Sequence, residues 1–408
     1  MDPRVVEDVW RRESAHVLGA LLHRYGDLGY CEDAAQEAAE AAARQWERDG
    51  VPDNPRGWLI RVASRRLIDR LRSESARAER EESVAAARLD DAPPADHVRQ
   101  DHDDTLRLFL LCCHPSLSRS SQVALTLHAV GGLGTAQIAA AYLVPERTMT
   151  QRLTRARATL RAAGAVFELP GEDDLPARVA AVLDACHLLF TEGHTRSTGD
   201  ALVDSTLAEE AIRLTRQLHA VIPGHDEVAG ALALMLLTHA RTPARTDGGN
   251  LVPLAEQDRS RWDRARIAEG VGILERVLPR GHVGRYQLQA AVAAVHAEAD
   301  TWEGTDWPQI CLLYAMLARV APSPVVTLNQ AVAVGMALGL EEGLALLRPL
   351  LDDPAMRRHH RTHAVHAHLL EMTGDLAGAV DGYRQAARLT TSLPEQRYLN
   401  ARLRDLAP

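Results

Sequence analysis

Apolar residues recur three or four positions apart along almost the whole chain, and alanine and leucine supply most of them. No run of alternating valine and isoleucine, which would mark a half-buried strand, interrupts this spacing. The pattern therefore predicts an all-α fold. Apolar residues make up 46% of the 408 residues, which is ample for several cores, and the length suggests two or three domains.

The helical periodicity breaks twice, over residues 81–103 and over residues 169–176, where Pro170 and Gly171 occur, and these breaks separate three helical regions. Helices are predicted over residues 5–25, 31–46 and 55–77, so residues 1–80 form one small helical domain. The periodicity fades over residues 81–103, where acidic residues surround Pro93 and Pro94, and this composition predicts a flexible linker. Helices over residues 105–113, 118–130, 135–142 and 146–164 then predict a second small domain, residues 104–165.

The remaining residues, 170–408, are predicted to form a third, helical domain. Near its end, Ala367, Gly374, Ala379, Tyr383 and Ala386 have the spacing of small and aromatic residues found in a tetratricopeptide repeat. In such a repeat, small residues let two antiparallel helices approach closely. A TPR-like helical-repeat domain that contacts a partner therefore fits this region better than a catalytic barrel does.

Residues 135–161 have the pattern of a helix-turn-helix. Thr135 is a hydroxyl N-cap candidate, Ile138 and Tyr142 form the apolar side of the first helix, Pro145 ends the turn and Glu146 opens the second helix. An N-terminal turn of such a second helix can read base edges in the major groove while later arginines contact phosphates. A solvated cationic helix closing a three-helix bundle is the alternative, but the tight turn favours the DNA-binding interpretation.

On the second helix, Met149, Leu153 and Leu160 recur at helical spacing and are predicted to point inward. The candidate contacts to DNA are the remaining polar and basic positions together with the start of the first helix: Thr135, Arg147, Thr148, Gln151, Arg152, Arg155 and Arg157.

Charge is distributed unevenly along a chain whose net charge is -9 and whose 46 basic residues are all arginine. Residues 56–80 carry eight arginines against three acidic residues, and residues 104–165 carry seven against two. The segments around them are acidic. Each basic island coincides with a candidate DNA-binding helix, which is the distribution expected of a nucleic-acid-binding surface.

Several classes of site are disfavoured. The five cysteines are an odd number without Cys-x-x-Cys spacing, so buried thiols are expected in place of disulfides or structural zinc, and this includes Cys112 and Cys113. His359, His363 and His366 lie on one helical stripe, but neighbouring arginines make a metal site the weaker interpretation. We expect no cofactor and no enzymatic activity. The start of the chain lacks a signal-peptide pattern and no apolar run suits a membrane span, so a cytoplasmic location is expected.

With these motifs in order, residues 1–165 resemble the extracytoplasmic-function sigma factors of bacterial RNA polymerase. The run from Glu32 to Glu37 is similar to that family's acidic helix, which docks on the polymerase, and the segments 54–60 and 69–72 are similar to its minus-ten reader. The helix-turn-helix is similar to its minus-35 reader. The resemblance implies promoter DNA and the RNA polymerase core, through the beta-prime clamp helices and the beta flap, as partners.

The resemblance also implies roles for individual residues. Polymerase-binding candidates are Glu32, Asp33, Gln36, Glu37 and Glu40. Minus-ten candidates are Asn54, Arg56, Trp58, Arg61, Arg65, Arg66, Arg70 and Arg72. Helical periodicity places the polymerase-binding candidates on exposed positions of their helix, while Ala34, Ala38, Ala41 and Trp46 are expected to pack inward.

Three further expectations concern the minus-ten region. Trp58 is expected to be mainly a core residue, with stacking on a flipped base as the alternative. The loop of residues 48–54 is the better candidate for base capture. Asp69 is expected to orient arginines through ion pairs.

The segments 111–115, 256–264, 289–299 and 322–334, with Asp306 and Trp307, resemble a subgroup of that family with a long C-terminal extension. For the extension, this resemblance implies a fold and no activity. Its candidate regulatory residues are Asp258, Arg259, Trp262 and Trp307. They line a ligand pocket in one interpretation and belong to an ion-pair network at a helix start in the other.

The leading hypothesis is a sigma factor that directs the polymerase core to promoters. Its extension would regulate, either by covering the DNA- or polymerase-binding surfaces through an intramolecular contact or by adding a contact needed for activity. The alternative is a helix-turn-helix transcriptional activator or repressor with a TPR-type sensing domain. An enzyme fused to a DNA-binding module is the third reading, but no nucleophile motif or phosphate loop supports it.

Overall fold

A computed structural model of the chain describes residues 3–78, 98–142, 144–196, 200–354 and 356–406. These residues form eighteen α-helices and divide into two compact units, residues 1–186 and 187–408. The expected all-α fold is confirmed. Within the described residues the only strand pair is a two-residue hairpin, β1 (Thr246–Asp247) and β2 (Asn250–Leu251), whose turn uses Gly248 and Gly249 at positive φ.

The first unit contains α1 (Pro3–Tyr25), α2 (Leu28–Asp49), α3 (Pro55–Ala78), α4 (Val98–Cys112), α5 (Arg119–Ala129), α6 (Thr135–Ala141) and α7 (Glu146–Ala162). The division between the units falls within α8 (Leu175–His194).

The second unit contains α9 (Ser205–Val221), α10 (Asp226–His239), α11 (Arg264–Val277), α12 (Arg285–Glu298), α13 (Trp307–Val320), α14 (Pro324–Ala337), α15 (Leu340–Asp352), α16 (His360–Thr373), α17 (Leu376–Leu389) and α18 (Leu393–Asp405). Short 3-10 turns occupy Thr242–Ala244, Leu254–Glu256, Arg259–Arg261, Leu278–Arg280 and Met356–Arg358.

Side-chain caps set many of the helix starts. Asp27 accepts a hydrogen bond from the amide of Tyr30 at 3.0 Å and so begins α2, and Ser118 begins α5 in the same way. Asp263 caps α11 by accepting from the amides of two residues of its first turn. Apart from α4, the helices predicted for the first unit begin within three residues of the observed ones.

Three boundaries differ from expectation. Helix α4 begins at Val98, so residues 98–103 of the predicted linker are helical. The remaining linker residues, 81–97, lie outside the described part of the chain. Thr135 is the first residue of α6, and Gly134 therefore takes the position before the helix. The division of the chain falls after Cys186, later than the proline- and glycine-containing break near residue 170, because α8 begins inside the first unit.

The two predicted N-terminal domains pack together within the first unit. Helix α1 packs against α2 and α3 and also against α4. The indole Nε1 of Trp10 donates to the carbonyl of Gly132 at 2.9 Å, and the hydroxyl of Ser14 donates to the carbonyl of Val130 at 3.1 Å. Residues more than a hundred positions apart thus form one interface, which the linker prediction did not anticipate.

The second unit is built from consecutive helices that pack in pairs. Ala367, Ala379, Tyr383 and Ala386 are buried together between α16, α17 and α18, and Gly374 ends α16 with φ +88°. In the preceding pair, a Cβ on Gly343 would meet the carbonyl oxygen of Ala331 at 2.6 Å. The small residues therefore allow the close helix approach that their spacing predicted.

Candidate nucleic-acid interface

Helices α6 and α7 form the predicted helix-turn-helix. Ile138, Met149, Leu153 and Leu160 are buried, as their spacing predicted. The amide of Val144 donates to the carbonyl of Ala139 at 3.0 Å and closes the turn, and α7 begins at Glu146 after Pro145. Burial of this stripe fixes which face of α7 points outward.

The outward face of α7 is strongly basic. Arg147, Thr148, Gln151 and Arg155 are exposed, whereas Arg152, Arg157 and, on α6, Thr135 are half-buried. Three of the four exposed residues, Arg147, Thr148 and Gln151, lie in the first two turns of the helix, and Arg155 lies one turn further on. This is the placement expected of a recognition helix whose N-terminal part meets the bases.

Arg157 and Arg161, at the far end of α7, bind acidic residues of the N-terminal helices. The guanidinium of Arg157 donates to Glu32 at 2.5 Å, and that of Arg161 donates to Asp27 at 2.8 Å. Backbone amides of Tyr30 and Gly29 and the charge of Arg161 outweigh the opposing effect of burial and lower the pKa of Asp27. The C-terminal part of the recognition helix is thus held against α2 in this arrangement.

Glu32 is only 3% exposed, so the expectation that it lies on an exposed acidic face is wrong. Arg157 covers one carboxylate oxygen, and His128 Nε2 lies 3.9 Å from the other. The error has a simple physical reason: helical periodicity describes the packing of α2 on its own neighbours, and the helix that covers Glu32 comes from 125 positions further along the chain.

Asp33 and Glu37 of the acidic set on α2 face α3, whereas Glu40 lies 3.8 Å from Arg44 of its own helix. Asp33 and Glu40 are exposed and Gln36 and Glu37 are half-buried. Arg70 donates to Asp33 at 2.7 Å and to Glu37 at 3.2 Å, and Arg66 lies 3.8 Å from Glu37. On the inward side, Ala34, Ala38 and Trp46 are buried as expected, but Ala41 is half-buried and Ala42 takes the core position.

Helix α3 carries the candidate minus-ten residues on a partly neutralised surface. Arg61, Arg65 and Arg72 are exposed and form no ion pair with a described residue, whereas Arg56 donates to Glu13 at 2.7 Å. Asn54 accepts a hydrogen bond from the amide of Gly57 at 2.9 Å, which makes it the cap of α3. A capping role restricts the side chain of Asn54 but leaves its amide nitrogen available.

Trp58 and Asp69 are the two other residues of α3 whose roles were predicted from the sequence. Trp58 is half-buried, and its ring packs against that of the buried Trp46 with centroids 5.2 Å apart. Asp69 is exposed and forms no ion pair with a described residue, so its expected role in orienting arginines stays a prediction. Asp33 and Glu37 orient Arg70, because α2 packs alongside α3. Nothing in the loop of residues 48–54 tests base capture, which stays a prediction.

The start of the extension contacts the helix-turn-helix domain within the first unit. Arg178 of α8 donates to the carbonyl of Leu110 at 2.6 Å, and Arg119 lies 3.4 Å from Asp184. Cys112 and Cys113 are fully buried beneath these helices, as expected, and burial raises the pKa of the Cys113 thiol to about 11. Cys311 is only half-buried and departs from the expectation of buried thiols.

The candidate regulatory residues divide between the two interpretations left open above. Arg259 is buried, its guanidinium lies 4.8 Å from the ring of the buried Trp262, and Trp307 packs edge-on to Trp302 at 4.8 Å. Asp258 is exposed and caps the following 3-10 turn. The ion-pair network at the helix start lies just beyond, where Arg266 binds both Asp263 and Glu209.

The histidine stripe has other contacts. His363 Nε2 lies 2.8 Å from the carbonyl oxygen of Arg357, and His359 lies beside His360. In the described ranges no group of three or more histidine, cysteine or acidic residues is arranged to hold a metal ion. Within the same described ranges, no helix has the length and apolar character that a membrane span requires.

Comparison with known families places these helices in a recognised order. The model of Sigma-70 region 2 matches residues 9–77, which contain α2 and most of α1 and α3, and the model of Sigma-70 region 4 matches residues 109–160, which contain the helix-turn-helix. A model described as a family of unknown function (DUF6596) matches residues 178–278. The two sigma-70 regions define the chain as a sigma factor of RNA polymerase.

Relatives specify the family. The chain is 40% identical over 395 residues to an uncharacterized protein of Rhizobium meliloti (strain 1021), covering 96% of this chain and 93% of that protein. It is 36% identical over 157 residues to the probable ECF RNA polymerase sigma factor SigI of Mycobacterium tuberculosis (strain ATCC 25618 / H37Rv), covering 37% of this chain and 53% of SigI. It is 32% identical over 137 residues to the ECF RNA polymerase sigma factor SigK of Mycobacterium sp. (strain KMS), covering 32% of this chain and 67% of SigK. The chain belongs to the extracytoplasmic-function sigma factors, and the RNA polymerase core and promoter DNA are its partners.

The alternative of a helix-turn-helix activator or repressor is not favoured. Such a protein needs no counterpart of sigma-70 region 2, yet that region is matched along with region 4. The Rhizobium relative extends the similarity over the extension as well, because it covers almost the whole chain.

Proposed function

We propose that this sigma factor reads the minus-35 element with the exposed residues of α7 and the minus-ten element with α3. The observation that carries the proposal is that both helices present arginines outward in an otherwise acidic protein: Arg147 and Arg155 on α7, and Arg61, Arg65 and Arg72 on α3. Guanidinium groups bind phosphate bidentately, so these positions suit backbone contacts on either side of the bases.

We further propose that the acidic residues of α2 dock on the beta-prime clamp helices and that the helix-turn-helix domain contacts the beta flap. Asp33 and Glu40 are exposed, and each pairs with an arginine of the same domain, Asp33 with Arg70 at 2.7 Å and Glu40 with Arg44 at 3.8 Å. Glu37 and Asp33 share Arg70 in this arrangement, so a cationic helix of the polymerase would compete with α3 for them. Glu32 becomes available only when Arg157 leaves it.

The packing of the helix-turn-helix domain against α1 and α2 supports a closed state of the first unit that must open for full activity. In that state Arg157 and Arg161 bind Glu32 and Asp27 and are unavailable to DNA. We propose that the extension modulates this opening through α8, whose Arg178 binds the carbonyl of Leu110 beside the helix-turn-helix domain.

Run-off transcription with purified core polymerase tests the proposal. The full chain is compared with a version that ends at His194, the last residue of α8, so that the contacts of Arg178 and Asp184 are retained. Core polymerase alone is the reference. Initiation from a cognate promoter only when the protein is added supports the proposed readout, and a changed yield with the shortened version supports modulation. If both versions give identical promoter binding and transcription, the extension has no regulatory role.

A further inference from the structure

An unusual concentration of arginine lies at the end of α10 in the second unit. Arg241 and Arg245 flank the 3-10 turn Thr242–Ala244, and Arg259 begins the turn Arg259–Arg261. The two turns are in contact, and the amide of Asp263 donates to the carbonyl of Ala240 at 2.9 Å, which ties the segments together. Three arginines from two segments are thereby brought close enough to interact electrostatically.

Neutral groups hold two of these arginines in position. Arg245 donates to the carbonyl of His194 and to the hydroxyl of Thr195. Arg259 donates to the carbonyls of His296 and Ala299, and both of these hydrogen bonds are 2.6 Å long. One terminal nitrogen of Arg259 is buried without a hydrogen-bond partner. Because carbonyl and hydroxyl oxygens carry no net charge, these contacts orient the guanidinium groups without neutralising them. Glu395 near Arg245, and Glu303 and Asp300 near Arg259, offset the positive charges only in part, since the pKa of each arginine is still lowered.

Arg241 differs from both. Its carbonyl accepts a hydrogen bond from the amide of Ala244, but its side chain has no hydrogen-bond or ion-pair partner among the described residues, and the residue is half-buried. Burial and the charge of Arg259 lower the pKa of Arg241 to about 10, and burial with Arg241 and Arg361 lowers that of Arg245 to about 9. The Arg241 side chain is thus partly enclosed by protein and keeps some contact with solvent.

The groups beside these arginines suit the organic part of a ligand as well as its anionic group. Tyr314 lies close enough to Arg241 to interact electrostatically, and His296 packs against the ring of Trp302 with its Nδ1 buried and without a partner. Burial, Arg241 and Arg259 lower the pKa of His296 to about 4, so this imidazole is neutral near pH 7. Polar groups that converge beside aromatic rings are common features of small-molecule sites.

We propose that Arg241, Arg245 and Arg259 form a binding site for a small molecule that carries a phosphate or carboxylate group, and that Arg241 is the residue that contacts the anion. An oxyanion would relieve the repulsion among the three guanidinium groups, and the planar fork of Arg241 would bind it through two parallel hydrogen bonds. This site lies wholly in the second unit, and the inference stands independently of the proposed promoter contacts.

Thermal unfolding and titration calorimetry of the full chain test the site, with inorganic phosphate and citrate as probes and sodium chloride at matched ionic strength as the reference. The variants are Arg241→Gln, Arg241→Lys and, as a matched control, Arg319→Gln at an exposed position of α13. We expect at least one probe to bind the wild type and the control equally, and Arg241→Gln to weaken that binding by about tenfold or more. Arg241→Lys keeps the charge and loses the fork, so intermediate binding is expected.

The protein without added anion distinguishes a binding residue from a structural one. Arg241→Gln removes a repelled charge, so its unfolding temperature should equal or exceed that of the wild type. A lower unfolding temperature would show that Arg241 is structural and would overturn the proposal. The proposal would also be overturned if neither probe bound. Equal stabilisation of the wild type and all three variants would overturn it as well, because that is the general effect of anions excluded from a protein surface. Preference for phosphate over citrate, or the reverse, identifies which oxyanion the site takes.

Discussion

Loss of one hydroxyl group at the interface between α1 and the end of α5 should open the first unit. Ser14 and Val130 are both almost fully buried, at 1% and 0% exposure, and the hydroxyl donates to the carbonyl at 3.1 Å. Ser14→Ala leaves that carbonyl unsatisfied in the closed state, whereas water satisfies it once the domains separate. An unsatisfied buried carbonyl costs about 1–3 kcal/mol, so the ratio of open to closed molecules should rise roughly 5- to 150-fold.

Fluorescence anisotropy with a labelled DNA duplex at low salt measures the consequence. If only the open state presents the whole of α7 to DNA, the apparent Kd equals the intrinsic Kd divided by the open fraction. Ser14→Ala should therefore strengthen apparent DNA binding by up to the same factor, although Ser14 belongs to none of the candidate DNA contacts. Trp10→Phe, which removes the hydrogen bond to Gly132 and keeps a ring, should act in the same direction.

Ser120→Ala is the matched control, because Ser120 is exposed in the first turn of α5 and its hydroxyl bonds only to that of Ser118 at 3.2 Å among the contacts described for it. Its affinity should equal that of the wild type. Unchanged or weaker DNA binding by a folded Ser14→Ala protein would refute the reasoning, since it would mean that the interface does not limit access to α7.

Other changes have equally definite expectations. Arg155→Gln should weaken duplex binding for all sequences and reduce the slope of log K against log salt by about one, because a single phosphate contact is lost. Gly343→Ala should destabilise the second unit by about 1–3 kcal/mol in a denaturant titration, because the added methyl group meets the Ala331 carbonyl and forces α14 and α15 apart. Glu395 should make the second unit sensitive to acid. Burial alone would raise its pKa, but the hydrogen bond from His360, the nearby charge of Arg361 and other contacts lower it from 4.5 to about 2. The stabilisation is therefore complete above pH 4.5 and is lost as the pH falls towards 2, by about 3 kcal/mol in total.

Each of these expectations has its own check. Arg319→Gln serves as the charge-matched control for Arg155→Gln, and an identical salt slope in both variants would exclude a phosphate contact by Arg155. Gly272→Ala controls for the helix propensity of alanine, since the nearest atom to its added Cβ is 3.6 Å away, at the end of the Arg276 side chain. Glu395→Gln should unfold with a weaker dependence on pH than the wild type between pH 4.5 and 2, and an unchanged dependence would contradict the assigned ion pair.

Local features of the chain predicted much of this architecture. The inward stripe of Met149, Leu153 and Leu160 and the opening of α7 at Glu146 follow from spacing within one helix, and the structure confirms them. The small residues around Ala367 likewise predicted a close helix pair. Periodicity and turn residues act over a few positions, so a reader of the sequence needs no knowledge of distant segments to use them.

Only the tertiary structure decided which charged residues meet. Glu32 and Asp33 are adjacent in sequence, yet one is buried under Arg157 and the other is exposed beside Arg70. Arg241 likewise lies near Arg259 only because two turns of the second unit pack together. The energy of a charge depends on its burial and on neighbours brought from far along the chain, and no local pattern records either of them.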